Sequence, residues 1–276
     1  MKLVQFFQGK DLQLGIVEEE DEKRLIRPLA YAGDFISWLA AGRPAETMGE
    51  RVPWEEAELA APVTRPGKII AIGLNYLEHA LEGSMKKPKE PLVFAKFPTA
   101  VTGPGAEIQW SLQITEKVDF EAELVVVIGE RACNVPEKEA LKKVFGYTCG
   151  NDVSARDLQF GDKQWVRGKS LDTFCPLGPW LVTADELINP RNLAIRARLN
   201  GVLMQESSTA NMIFPVAELI SFLSRHFTLM PGDLIMTGTP SGVGVFRDPP
   251  VFMADGDLIE IEIEKIGTLQ NRCRVY

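Results

Sequence analysis

The chain has 276 residues, 45% of them apolar and 25% charged, with a formal net charge of −8. That length holds one large domain with a small appendage, and its core needs no disulfide or metal staple. The acidic balance argues against a nucleic-acid-binding surface, and no apolar run approaches the roughly 18 residues of a membrane span.

The N-terminus meets Gln5, Lys10 and Asp11 too early for a signal peptide, so a cytoplasmic protein is expected. Cys133, Cys149, Cys175 and Cys273 form no Cys-x-x-Cys pair and match no zinc spacing. They read as free thiols in a reducing compartment.

In chain order, "LVQFF" and "LQLGIVEE" alternate as a short hairpin, and "YAGDFISWLAAG" reads as a short helix with Gly42 as its stop. Residues 1–62 are expected to form a small N-terminal domain, followed by a linker at Pro62, Pro66 and Gly67 and a larger domain over 66–276. "KIIAIGLNY" predicts a buried strand. "LEHALEGSMKKPKEP" starts with helical spacing and dissolves into Gly, Lys and Pro, the composition of a covering loop. "VFAKFPTAVTGPG" and "EIQW" predict further short strands.

"NVPEKEALKKVFGY" predicts a helix capped by Asn134 and ended by Gly146, and "FPVAELISFLSRHFTLMPGD" a second, stopped by Pro231-Gly232. Asn200-Gly201 marks a hairpin turn, and "DLIEIEIEKIGTLQNRCRVY" alternates as a hairpin with a polar face. Strands outnumber helices, with no βαβ alternation and no internal repeat.

Two nucleotide motifs fail. Gly168-Lys169-Ser170 lacks the Gly-x-x-x-x-Gly-Lys-Ser spacing, and "LDTFCPLGP" after it cannot open the helix that a phosphate cradle needs. "TGTPSGVGVF" lacks the third glycine of the dinucleotide fingerprint.

The acids are more informative. In "KVDFEAELVVVIGE", Glu121 and Glu123 stand two apart, so in a strand both point to one face. Two carboxylates at that distance repel unless a cation intervenes. With Asp152 in "GYTCGNDVSARDLQ" they make an oxygen set suited to a hard divalent cation such as Mg²⁺. Of the two histidines, His226 sits near a helix end, where it is expected to meet the C-terminal carbonyls. His79 precedes Glu82 by three residues, and a carboxylate one helical turn away orients an imidazole and raises its basicity. Lys169, Arg156, Gln159 and Thr239 add cations and donors for an anionic, oxygen-rich ligand; each alone is more often a surface or turn residue.

Seven collinear segments resemble the fumarylacetoacetate hydrolase family: "IGLNYLEHALE", "FAKFPTAVTGPG", "VDFEAELVVVIG", "GYTCGNDVSARDLQ", "GKSLDTFCPLGPWLV", "LNGVLMQESSTANMIF" and "LMPGDLIMTGTPSGVG". The resemblance implies an α+β, mainly β fold, a mixed β-sandwich roll with a few helices, forming homodimers. It implies a metal held by Glu121, Glu123 and Asp152, usually Mg²⁺ with Mn²⁺ or Ca²⁺ as substitutes. It implies a catalytic set of His79, Glu82 and Lys169, with Arg156, Gln159 and Thr239 on the substrate and Thr173 at a peripheral position. "GLNYLE" before His79 resembles the shorter bacterial type, without an added acid ahead of the histidine. The implied substrate is a small 2-keto or β-diketo acid such as an acylpyruvate. The leading expectation is hydrolytic C–C cleavage through a metal-held enolate, with water activated by His79 and Glu82. The alternatives are oxaloacetate decarboxylation, isomerisation of a hydroxymuconate-type dienoate, and hydrolysis of a diketo-deoxy sugar acid. A metal-stabilised scaffold without activity would be expected to lack some of these side chains.

Overall fold

In a computed structural model describing residues 1–21 and 23–276, the apolar run after Glu121 forms the strand Ala122–Ile128, buried at every position. Its alternation sorts two cores. Leu124, Val126 and Ile128 join one cluster of buried side chains, and Val125 and Val127 join another on the opposite face. A strand covered on both faces needs no polar alternation, which is why this segment reads as a continuous apolar run.

Ala122–Ile128 lies within a twelve-stranded mixed sheet, between Val144–Asn151 and Leu234–Met236. Beyond Leu234–Met236 come Ile69–Gly73, paired in parallel, and then the edge strand Leu92–Lys96. A second sheet of five strands is built from the hairpins Ala194–Leu199/Val202–Ser208 and Leu258–Ile263/Gly267–Val275, with Glu107–Trp110 at its edge. The alternating burial of Leu258–Ile263 turns Ile259, Ile261 and Ile263 into the first core and Glu260 and Glu262 outward. The central strands of the two sheets pack face to face, giving the mainly β, α+β sandwich.

The N-terminal hairpin Lys2–Gln8/Asp11–Glu20 forms as its alternation predicts, and a third strand, Lys23–Ala32, pairs with it. Lys2–Gln8 also pairs with Cys175–Thr183, Leu3 opposite Leu181, so the sheet runs on from residues 1–62 into the rest of the chain. The short helix is Phe35–Ala40. It starts later than its sequence suggests because Tyr31 and Ala32 remain in the strand and Asp34 caps the Ser37 amide at 2.8 Å. Its Phe35 and Trp38 seat against Phe145, with ring centroids 4.9 and 5.9 Å away. Each such buried side chain contributes about 1.5–3 kcal/mol.

Two helix expectations are corrected. The segment after Asn134 makes only one turn, Glu137–Ala140, and a short 3-10 turn, Leu141–Lys143. Asn134 adopts a positive φ of 52° rather than capping, and Gly146 lies inside the strand Val144–Asn151. Asp152 therefore follows a strand, not a helix. The later helix is Val216–His226 and ends at Phe227, short of Pro231-Gly232. Among the described residues no helix is long and apolar enough to cross a membrane.

Candidate active site

The register of the central pair assembles the acids. Ala122 lies opposite Asn151 and Glu123 opposite Gly150, and one step further the Asp152 amide donates to the Glu121 carbonyl at 2.9 Å. Glu121, Glu123 and Asp152 are all buried, and one oxygen from each lies within 4.8 Å of the others. Four buried carboxylates, counting Asp119, meet three buried cations. Lys96 Nζ donates to Asp152 Oδ1 at 2.6 Å, and Lys169 Nζ to Asp152 Oδ2 at 2.7 Å and Glu121 Oε2 at 2.9 Å. Arg156 Nη1 lies 2.7 Å from Glu121 Oε1, and its Nε donates to Asp119 Oδ2 at 2.8 Å.

Glu123 is the carboxylate without an ion-pair partner among the described residues; it accepts only the Gly238 amide, at 2.7 Å. Burial, then the charges of Asp152 and Glu121, push its carboxyl well above the usual range. Glu121 goes the other way. Burial pushes it up, but Lys169 and Arg156 outweigh that and hold it well below the usual range. Lys169 is likewise raised against its burial by Asp152 and Glu121. An all-oxygen set with one unneutralised buried carboxylate fits a hard divalent cation.

His79 and Glu82 lie on the short helix Leu77–Glu82, which follows the strand Ile69–Gly73. His79 Nδ1 is 3.3 Å from Glu82 Oε2, while Glu82 Oε1 accepts the Gly242 amide at 2.9 Å. Nδ1 is thus turned to the carboxylate, and Nε2 is left for a ligand. His79 shares a cavity of about 190 Å³ with Glu121, Arg156, Gln159, Lys169 and Thr239. Phe94, Trp165 and Phe246 supply apolar wall, Phe94 and Trp165 meeting edge to face at 5.3 Å. Arg156 and Gln159, one turn apart on Arg156–Gly161, are joined by Nη1 to Oε1 at 2.9 Å. Lys169 ends the one-turn helix Val166–Lys169 and is buried, not a surface or turn residue. The Thr239 hydroxyl accepts from Gln205 Nε2 at 2.8 Å, leaving its own proton to donate.

Thr173 sits apart from this cavity, where its hydroxyl accepts the Gln109 amide at 2.8 Å. His226 is likewise remote, with Nδ1 2.9 Å from the Phe222 carbonyl near its helix end.

Sequence reasoning missed Lys96, Asp119 and Gln205. Gln205 accepts the Ala122 amide at 2.9 Å and donates to Thr239 and to the Pro240 carbonyl, tying the Glu-x-Glu strand to the Thr239 loop. Lys96 left one signal, a lysine between Ala95 and Phe97 with no acid near it in sequence.

Comparison with known proteins places this geometry. The profile described as fumarylacetoacetate (FAA) hydrolase C-terminal matches residues 68–274. The oxaloacetate tautomerase FAHD2B, mitochondrial, of Bos taurus is 49% identical over 223 residues, spanning 80% of this chain and 71% of that protein. The fumarylacetoacetate hydrolase of Exiguobacterium antarcticum superposes with a TM-score of 0.90 at 36% identity, covering 100% of both chains. The 5-carboxymethyl-2-hydroxymuconate delta-isomerase of Mycobacterium smegmatis superposes with a TM-score of 0.85, also at 36% identity and covering 100% of both chains. With its acids, its His–Glu pair and its sandwich arranged in this way, the chain belongs to the fumarylacetoacetate hydrolase family.

Proposed function

We propose that this enzyme moves a proton at the carbon next to the ketone of a small 2-keto acid, interconverting keto and enol forms, with oxaloacetate as the first candidate. The observation that carries the reading is His79, held through Nδ1 by Glu82 and facing the cavity that Glu121, Arg156 and Lys169 line. Relatives named as oxaloacetate tautomerases and a structural neighbour named as a delta-isomerase support proton transfer over the expected hydrolytic C–C cleavage. Tautomerisation and isomerisation need a proton shuttle but no attacking water.

Glu121, Glu123 and Asp152 would hold the divalent cation, Mg²⁺ or in its place Mn²⁺ or Ca²⁺, which when bound would neutralise the substrate's chelating oxygens and lower the cost of enolate charge. The chain does the rest. His79 Nε2 takes the proton from the carbon beside the ketone and returns it to the enolate oxygen. Glu82 stabilises the imidazolium between these transfers. Lys169 supplies positive charge beside the developing oxyanion, and Arg156, Gln159 and the Thr239 hydroxyl hold the carboxylate. Phe94, Trp165 and Phe246 keep bulk water from the proton in transit. The free thiols of Cys133, Cys149, Cys175 and Cys273 suit a reducing compartment such as the cytoplasm.

The test follows enol oxaloacetate by its ultraviolet absorbance, with EDTA and with Mg²⁺ restored. The expected result is acceleration that EDTA abolishes, that Mg²⁺ restores, and that His79→Ala lowers by about 10²–10⁴-fold. Hydrolysis of an acylpyruvate without any tautomerisation would return the assignment to C–C cleavage.

A further inference from the structure

We infer that Asp119 is a positioning residue that links the substrate-side arginine to the loop covering the histidine. The carboxylate is fully buried and every direction around it is used. Oδ2 accepts Arg156 Nε at 2.8 Å and the Val245 amide at 3.0 Å. Oδ1 accepts the Gly244 amide at 2.8 Å and the Phe120 amide at 2.9 Å. One side chain thus fixes two walls of the cavity that are far apart in sequence.

The first wall is Arg156. With Nε on Asp119 and Nη1 on Glu121 and Gln159, the guanidinium plane has no freedom to rotate. Nη2 also lies 2.8 Å from Asp119 Oδ2, so one whole edge of the guanidinium is paired with this carboxylate. Asp119 therefore sets the direction in which Arg156 presents its Nη1 edge to Glu121 and Gln159.

The second wall is the loop after Thr239. Gly244 has no room for a side chain, since a Cβ there would stand 1.8 Å from the Val251 carbonyl oxygen and 2.7 Å from Asp119 Oδ1. The missing Cβ lets the backbone reach the carboxylate. Phe246, two residues on, brings its ring to 6.0 Å from the His79 ring and abuts Gly83 at the end of the His79 helix. Asp119 therefore sets where Phe246 covers the imidazole, as well as where Arg156 points.

This inference rests on the proposed keto-acid chemistry, and its test separates the two. Asp119→Asn keeps the size of the side chain but turns an amide N–H₂ toward either the Arg156 edge or the Gly244 edge. In the Mg²⁺-loaded enzyme the expected result is a KM for oxaloacetate raised tenfold or more, with kcat also lowered. Double-mutant cycles locate the effect. Arg156→Lys should absorb most of the KM change caused by Asp119→Asn, and Phe246→Ala most of the kcat change. A purely structural role predicts a lower Tm with both constants unchanged per folded molecule, or effects that add fully in both cycles; either outcome overturns the inference. Should Asp119→Asn fail to fold, Arg156→Lys and Phe246→Ala decide alone. The first is expected to raise KM, the second to lower kcat with KM within twofold, and the absence of that split overturns the inference. If the wild-type enzyme turns over no keto acid, the tautomerase reading fails. The Arg156 arm is then read by calorimetry with oxalate and Mg²⁺, where Asp119→Asn should weaken oxalate binding tenfold and an unchanged affinity overturns it.

Discussion

Asp152 and Glu121 face one another across the last rung of an antiparallel pair, the amide of Asp152 donating to the carbonyl of Glu121 at 2.9 Å. Backbone pairing, rather than attraction between side chains, brings these two acids together, and Glu123 follows two residues on, inside the strand Ala122–Ile128. Lys96, Lys169 and Arg156 offset the charges of Asp152 and Glu121, and the repulsion that remains falls on Glu123. The fold thus gathers the three acids through its backbone alone.

Glu123 should report on that cation. Since burial and two acidic neighbours disfavour its charged form, Glu123→Gln is expected to leave the metal-free protein as stable as the parent or more so. Mg²⁺ at about a hundred times its Kd should raise the parent's stability by about 2.7 kcal/mol and the variant's far less. Thermal unfolding with EDTA and with Mg²⁺ measures both. A metal-free variant less stable than the metal-free parent would contradict this electrostatic account.

Lys96 makes the opposite case. It is fully buried with its ammonium 2.6 Å from Asp152 Oδ1, so Lys96→Met removes one partner of a buried pair. A loss of about 3–5 kcal/mol is expected from urea unfolding in EDTA. Mg²⁺ should recover a larger share of stability in the variant than it adds to the parent, because it supplies the missing positive charge. Equal gains in the two proteins would separate Lys96 from the acid cluster.

Much of this was legible in the chain itself, for reasons that differ by residue. The convergence of Glu121 and Glu123 was expected from extended backbone geometry and holds although the strand starts only at Ala122, and the hairpin at Asn200-Gly201 follows from its turn residues. The Glu121–Asp152 contact depends on the register between two strands whose facing acids lie 31 positions apart, which no local pattern encodes. Lys96 and Asp119 carry the composition of surface residues, and only their partners Asp152, Arg156 and Gly244 give them buried roles. The helix expected after Asn134 fails because apolar residues at helical spacing also suit the fully buried strand Val144–Asn151, where tertiary pairing overrides propensity.

Gly146 tests that last point. In the strand its missing Cβ is required, since a methyl there would stand 2.3 Å from the Val182 carbonyl oxygen. Gly146→Ala would force apart Val144–Asn151 and Cys175–Thr183, the strands that pair Gly146 with Thr183 and Tyr147 with Val182. Overpacking of this kind costs about 1–3 kcal/mol, read as a lower Tm by calorimetry. A Tm left unchanged or raised by Gly146→Ala would contradict the close approach of these two strands.

The outer sheet offers a pH dependence free of the active site. Glu262 bridges Arg198, Nη1 to Oε2 at 2.7 Å, and Arg196, Nη1 to Oε1 at 3.1 Å. The hydrogen bond from Arg198 holds its carboxyl below the usual range, against a smaller opposing effect of burial, and the charges of both arginines lower it further. A carboxylate depressed in the folded state contributes fully above its unfolded value near about 4.3 and loses that contribution as pH falls through the folded value. Each bridge is about one-third exposed, so the pair contributes only about 0.2–1 kcal/mol. Glu262→Gln is therefore expected to lower stability by that amount at about pH 7 and to match the parent once the pH lies below the folded value of Glu262. The difference should close as pH falls below about 4.3, and adding salt at neutral pH should narrow it too. Urea midpoints across that range measure the effect, and a gap that widened toward acid would reverse the sign assigned to Glu262.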